Sequence, residues 1–398
     1  MKLGKFITPS QRRLITLARQ RVKAITHGEK SIQSDRRLFF YEKKNTDTFF
    51  GYYDISPFND QNQLLYIEHP NNSDDVNICV DTLFEHNAKC ISKSNAWNWQ
   101  QGSRLRWYQN SDDTVMFNDY VEGKYICRIV NVNGHDVKKV DWPIYDINEN
   151  GIAVSLNFEK LGVLRPGYGY TCIPYTPTAA DEDALIIIDA NENNIIKTVK
   201  YSQIAQEMGY EGTYEKIYIN HISFSPSGNR FLFFWIQIIS GYHQASLVVY
   251  DLTTDYMTVL ENKEKVSHYV WFDDHNILCT SYNEKRKCYY YNYNVENKSK
   301  TLFCPNSLQE DGHPSVFNEN TILTDTYPDV NGFQYIKFID IVNDKADQIV
   351  KIYSCPVTNG EKRTDLHPRL TKDKSVICFD TNVHTKRSLV LINLRDEK

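Results

Sequence analysis

No apolar run in this chain of 398 residues is long enough to span a bilayer. Its nine cysteines include no C-x-x-C pair, and their number is odd. Cys79, Cys279 and Cys378 lie in apolar, strand-like runs. That usage fits reduced, buried thiols and disfavours a disulfide framework. There is no excess of positive charge: 45 Lys and Arg stand against 50 Asp and Glu, a net charge of −5, so nothing global points to nucleic acid. No phosphate-cradling glycine loop, G-x-S-x-G elbow or H-E-x-x-H motif occurs, which removes the commonest signatures of nucleotide, serine-hydrolase and zincin chemistry. The first residues lack the apolar core and small-residue cleavage site of a secretory signal, so the expectation is a cytoplasmic protein.

What the chain does have is aromatic residues, 13% of the total with 27 Tyr, and these favour strands. It is organised around Asn220-His221-Ile222-Ser223-Phe224-Ser225-Pro226-Ser227-Gly228, followed by the apolar run 231–235. This reads as strand, tight turn, strand, because Pro fixes φ and Gly frees it where the chain reverses. The figure returns at His268, His313 and His367, at spacings of 47, 45 and 54 residues. Short strands repeating at roughly 40–50 residues are the signature of a β-propeller. Related turns begin at Gly51, Gln100 and Ile144 and bring the number of repeats to seven. The expected architecture is therefore all-β, a seven-bladed β-propeller over residues 37–398, with Leu38–Tyr41 closing the ring beside the last blade. The third repeat is long and includes an expected short helix over 201–208 and a Pro-Gly-x-Gly run, residues 165–170. Residues 1–36 form a basic N-terminal extension, with seven Lys and Arg before the first acid, Glu29. A helix over 9–25 is expected there, either lying on an anionic membrane surface as a peripheral contact or packing against the propeller with its basic face in water.

In a propeller the innermost strand of every blade lines the central channel, so equivalent positions form a ring. This register puts His221, His268, His313, His367, Tyr52 and Arg104 at one such level. Clustered imidazoles suit a divalent metal and acid–base work near neutral pH. Asp54, Gln100, Gln101, Asp325 and Asp365 are available to orient the imidazoles or complete a coordination shell. Arg104, Arg106, Arg165 and Arg369 suit bidentate contact with a carboxylate, and equally well an ion pair between blades. Arg165 and Tyr168 make a polar-aromatic lip. Trp99 offers a flat face for a sugar ring or for packing. His384 reads as an exposed loop residue.

The histidine at a strand entry, repeated with Ser-Pro-x-Gly turns, resembles the TolB-type propeller repeats. The His-rich inner ring more narrowly resembles the oligogalacturonate lyases and related polysaccharide lyases, including ulvan lyases. The resemblance implies a divalent metal (Mn, Zn or Ca) held by His268, His313 and His367, and an acidic oligo- or polysaccharide as substrate. It implies β-elimination at a uronate, with Tyr52, His221, Arg165, Tyr168 and Arg369 as catalytic candidates and Arg104, Gln100 and Trp99 as substrate contacts. In that family a glutamine completes the metal site; here Asp365 stands two residues before His367. Two other readings stay open: a non-catalytic propeller that binds glycan or protein, and a membrane-associated participant in making a surface polysaccharide.

Overall fold

The computed structural model describes residues 31–396. Seven antiparallel sheets follow one another along the chain, over residues 46–94, 106–140, 146–200, 217–261, 265–303, 315–353 and 369–393. In each, strands add from the channel outward, the order of a propeller blade. The ring closes as expected. Leu38–Tyr41 is the outermost strand of blade seven and pairs antiparallel with Ser388–Asn393, Leu38 opposite Ile392. One blade departs from four strands. Ile32–Ser34 pairs with Lys345–Tyr353 as a fifth strand of blade six, so the chain enters the propeller upstream of residue 37. The helix expected over 9–25 lies outside the described residues. Among the described residues no helix is long and apolar enough to cross a membrane.

The middle strands explain why the sequence shows apolar runs and little strict alternation. Arg230–Ile239 is buried at six consecutive positions from Phe231 to Ile236, because the blade is covered on both faces by its neighbours. Phe231, Phe233 and Trp235 belong to a core shared with Val154, Leu185 and Tyr201 of blade three. The Ser-Pro-x-Gly turn is tied into the same junction. Gly228 has φ 73°, accessible to glycine without strain, and a Cβ there would stand 2.9 Å from that of Asn148. Asn148 Nδ2 in turn donates to the Gly228 carbonyl at 2.9 Å.

The long third blade holds both α-helices of the described residues, Phe158–Leu164 and the expected Tyr201–Met208. The first is capped by Asn157, whose side chain accepts from the Lys160 N–H. The 165–170 run then crosses back over this helix on two glycines: a Cβ on Gly169 would lie 2.1 Å from the Gly162 nitrogen. The crossing is pinned by Tyr170, whose ring stacks on Phe158 at 4.5 Å, and by Asn98 Nδ2, which donates to the Tyr168 carbonyl at 2.9 Å.

Candidate metal centre and channel ring

The inner strands break where the ring residues stand. His221 and His367 have φ of 58° and 49°, and Arg104, in the same place on blade two, has φ 55°. Left-handed backbone at a non-glycine residue costs roughly 1–2 kcal/mol. Its recurrence at three equivalent positions therefore marks a built kink that turns the side chain into the channel. The inner strand of blade five carries its irregularity between Val266 and Tyr269, at His268.

The four imidazoles converge. Ring centroids of His268 and His313 are 4.2 Å apart, those of His313 and His367 4.3 Å, and those of His221 and His268 6.3 Å. Tyr52 bridges the gap, 5.2 Å from His221 and 4.8 Å from His367. All five side chains are buried.

Three carboxylates organise the imidazoles. Asp325 accepts from His313 Nδ1 at 2.8 Å, from the His313 N–H at 2.8 Å and from the His367 N–H at 2.9 Å. Asp311 accepts from His268 Nδ1 at 2.8 Å and from the Tyr282 hydroxyl at 2.7 Å. Asp365 faces His367 Nε2 at 4.0 Å and is gripped by Arg363, whose Nη2 also donates to the Tyr168 hydroxyl at 2.9 Å. His367 Nδ1 donates to the Gly51 carbonyl at 2.9 Å. Carbonyl and carboxylate oxygens only accept, so in the neutral rings Nδ1 carries the proton in both His313 and His367, and each Nε2 then holds a free lone pair. Neither Nε2 has a hydrogen-bond partner, nor do His221 Nδ1 and the Tyr52 hydroxyl. A buried polar atom left unpaired costs about 1–3 kcal/mol, so these four atoms form a site made for a ligand.

His313, Asp365 and His367 offer ligand atoms that all lie within 4.8 Å of one another. Two imidazole nitrogens and one carboxylate oxygen, with the imidazoles oriented by a carboxylate and a carbonyl, fit a divalent transition metal. The expected ligand set was His268, His313 and His367. His268 instead stands beside this trio, with its Nε2 3.4 Å from the Tyr327 hydroxyl. Burial, reinforced by the neighbouring imidazoles, holds the pKa of His221 and His367 well below the ordinary histidine value. In His268 burial also wins, against Asp311. His313 is the exception: burial lowers its pKa but the paired Asp325 more than reverses this and raises it.

Other expected residues are distributed as follows. Arg165 and Tyr168 reach the ring from above. Tyr168 is 6.1 Å from His221, with the Arg165 guanidinium 5.1 Å from its own ring centroid. Gln100 shares a cavity of about 350 Å³ with them and with Arg363. Its Nε2 is committed to the Glu361 and Arg363 carbonyls, while its Oε1 is unpaired. Three residues take the structural one of their two expected roles. Arg369, foreseen as catalytic, is buried and donates to the Gly51 and Tyr52 carbonyls at 2.5 and 3.1 Å. Arg104, foreseen as a substrate contact, donates to the Tyr145 carbonyl and pairs with Asp54 at 3.0 Å. Both act as rivets between blades, because at these positions the guanidinium meets a neighbouring blade's unpaired carbonyl before it meets solvent. Trp99 stacks on Phe49 at 5.7 Å with Lys362 over its ring at 4.8 Å, a packing position that leaves no open face for a sugar. His384 is in its expected loop, paired with Glu42 at 2.8 Å.

Sequence reasoning missed Asp311, Arg363, Tyr327 and His243. The signal for two of them was present: Asp311-Gly312-His313 and Asp365-Leu366-His367 share an Asp two residues before a ring His. Arg363 alternates with Asp365 on extended backbone, so the two side chains share a face. His243 accepts from the Tyr218 hydroxyl at 2.8 Å, and burial, with Arg165 and Lys265 nearby, lowers its pKa to about 4.

No family model matches the chain, and no curated protein matches it in sequence. Solved structures match its fold. An oligogalacturonate lyase in complex with manganese superposes with a TM-score of 0.67 at 14% identity, covering 92% of this chain and 94% of that one. The oligogalacturonate lyase of Vibrio parahaemolyticus gives a TM-score of 0.64 at 11% identity, with 93% and 99% covered. The tricorn protease matches with a TM-score of 0.51 at 11% identity over 86% of this chain and 33% of that chain. At these identities the likeness is one of fold: the protein is a seven-bladed β-propeller with a His/Asp cluster in its channel.

Proposed function

We propose that this propeller is a metal-assisted lyase acting by β-elimination on a uronate-containing glycan. The observation that carries the reading is the trio His313, Asp365 and His367, with two buried, unpartnered Nε2 lone pairs lying beneath a lip of Arg165, Tyr168 and Arg363. The superposed oligogalacturonate lyase with manganese supports it by fold. A divalent ion held by these three residues would supply a positive charge that acidifies the C–H beside a bound carboxylate.

The chain's own groups meet the remaining demands. Arg165 has no carboxylate partner among the described residues, so its guanidinium is free to receive the uronate carboxylate. His221 Nδ1 is unpaired, and burial keeps the ring neutral at physiological pH. It accepts the carbon-bound proton in the tautomer that carries the ring proton on Nε2, which gives up the 3.3 Å bond that Nε2 otherwise accepts from Asn220 Nδ2. The Tyr52 hydroxyl, also unpaired and wedged between His221 and His367, is placed to give a proton to the departing glycosidic oxygen. Tyr168 and its bond to Arg363 keep bulk water off these groups.

The test is to purify the protein without a histidine tag and measure its Mn, Zn and Ca by elemental mass spectrometry. The same preparation is then incubated with oligogalacturonate, and the ultraviolet absorbance of an unsaturated uronate is followed. Metal and product together support the lyase. Retained metal without product from any uronate oligosaccharide would replace it with a binding propeller, and absence of both would end the metal-assisted reading.

A further inference from the structure

A second cleft, of about 510 Å³, runs outward from the ring between blades five and six. Tyr327 and Asp311 stand at its inner end, and Tyr282, Tyr289, Arg286 and Lys287 line it further out. It adjoins the ring through Tyr327, which lines it and lies 5.9 Å from His268 and 5.7 Å from His313. Its charges are arranged unequally. The acids on its walls are already engaged: Asp311 with His268 and Tyr282, Asp329 with the Tyr335 hydroxyl at 2.9 Å, and Glu310 with Lys337 at 3.3 Å. The cations are not, since among the described residues neither Arg286 nor Lys287 has a carboxylate partner. The Arg286 guanidinium lies 5.9 Å from the ring of Tyr242, which is 69% exposed at the tip of a blade-four hairpin. Arg286 also holds a left-handed backbone, φ 57°, at a turn position where glycine would sit without strain.

We propose that this cleft is a remote subsite for an anionic sugar unit, with Arg286 and Lys287 receiving its carboxylate while Tyr282 and Tyr289 pack against the ring. The inference rests on the lyase reading, in which the reacting pair of units occupies the channel ring; it adds that a third unit is recognised by its charge. Acids held by their own partners and free cations at the outer end select a carboxylate over a hydroxyl there, and the tyrosine walls suit the apolar faces of a pyranose.

Titration calorimetry with digalacturonate and trigalacturonate, under a chelator that stops metal-assisted turnover, tests this on the full chain. The wild type should bind the trisaccharide about tenfold more tightly than the disaccharide, the gain of one charge-assisted contact. Arg286→Ala with Lys287→Ala should bring the two to equal affinity and leave the disaccharide unchanged. Arg286→Gly should lose most of the trisaccharide advantage while its Tm stays level or rises, which separates lost recognition from lost folding. An advantage that survives in both variants, or that is absent from the wild type, overturns the subsite. Failure of both sugars to bind the wild type, under the chelator and again with Mn restored, overturns the uronate reading, and the subsite with it.

Discussion

Asp325→Asn is the sharpest single test of how the ring is held. The carboxylate is buried and accepts three N–H groups: the backbone and Nδ1 of His313 and the backbone of His367. An amide keeps one acceptor oxygen and turns an NH₂ group toward donors. At least one buried N–H is orphaned, at about 1–3 kcal/mol, and one charge-assisted bond worth about 1.5–3 kcal/mol is lost. The expected destabilisation is therefore about 3–5 kcal/mol, read as a lower midpoint in urea at unchanged m-value. Function should move as well. With Asp325 gone, His313 loses the partner that fixes its Nδ1–H tautomer, and metal affinity should fall about 10–100-fold, the usual cost of removing such an orienting group. Competition with a fluorescent chelator measures this on Mn- and Zn-loaded protein. If the variant keeps wild-type metal affinity, the assignment of His313 Nε2 as a ligand is refuted. Stability within about 0.5 kcal/mol of wild type would refute the three-donor accounting.

Three further outcomes are expected. In metal-free protein, His221 and His367 stay neutral when folded but bind protons when unfolded below about pH 6.5, so stability should fall on acidification by up to about 1.4 kcal/mol per pH unit for each. His313 has the opposite sign: its contribution is complete below about pH 6.5 and is lost as pH rises through its raised folded pKa. Tm should therefore peak near neutrality, and His367→Gln should flatten the acid limb; an unaltered acid limb would contradict burial of the neutral form. Arg369→Ala should cost about 3–5 kcal/mol by leaving buried partners uncompensated, yet leave metal content per folded molecule unchanged. Loss of metal at wild-type Tm would return Arg369 to the site. Arg165→Gln should raise KM for an oligouronate at least tenfold with little change in Tm, as a partly buried guanidinium without an ion-pair partner contributes little to folding and the amide keeps most of its packing. Equal KM values in the two proteins would remove Arg165 from substrate binding.

The repeat was legible because it is written in local chemistry. Pro and Gly mark the turn after Ser225, and apolar runs such as 231–235 mark strands buried on two faces, so blade number and ring closure by Leu38–Tyr41 follow from spacing. The convergence of the four histidines also follows, since equivalent positions on inner strands must share a level. What spacing cannot carry is which acceptor each polar side chain finds across a blade junction. Arg369 and Arg104 have the same composition and position as ligand-binding arginines, but their guanidinium groups meet backbone carbonyls of the next blade. The exchange of His268 for Asp365 in the tightest cluster has the same origin. His268 is drawn to Asp311, which is 43 residues away in sequence, while Asp365 is directed at His367 by the alternation of one extended segment. Ile32–Ser34 was missed because three residues with no flanking repeat carry no periodic signal.

The kinks separate what the fold supplies from what the residues supply. Arg104, His221 and His367 share a left-handed backbone at equivalent places, but only two of the three belong to the imidazole cluster. The kink is thus independent of the residue's chemistry, since an arginine and two histidines share it, while Tyr52, His268 and His313 stand in the ring without it. Blades one and two spend that position on Tyr52 and Arg104, and blades four to seven spend it on histidine. The result is an asymmetric ring. Half of it is stitched shut by Arg104, Asp54 and the Tyr53 hydroxyl, which reaches across to the Tyr269 carbonyl at 2.7 Å. The other half keeps the Nε2 atoms of His313 and His367 unpaired. A symmetric ring of seven paired residues would be more stable, because no buried polar atom would go without a partner. Among the ring histidines, the unpaired Nε2 atoms are those of His313 and His367, beside Asp365, so the candidate metal centre lies off the channel axis, against blades six and seven.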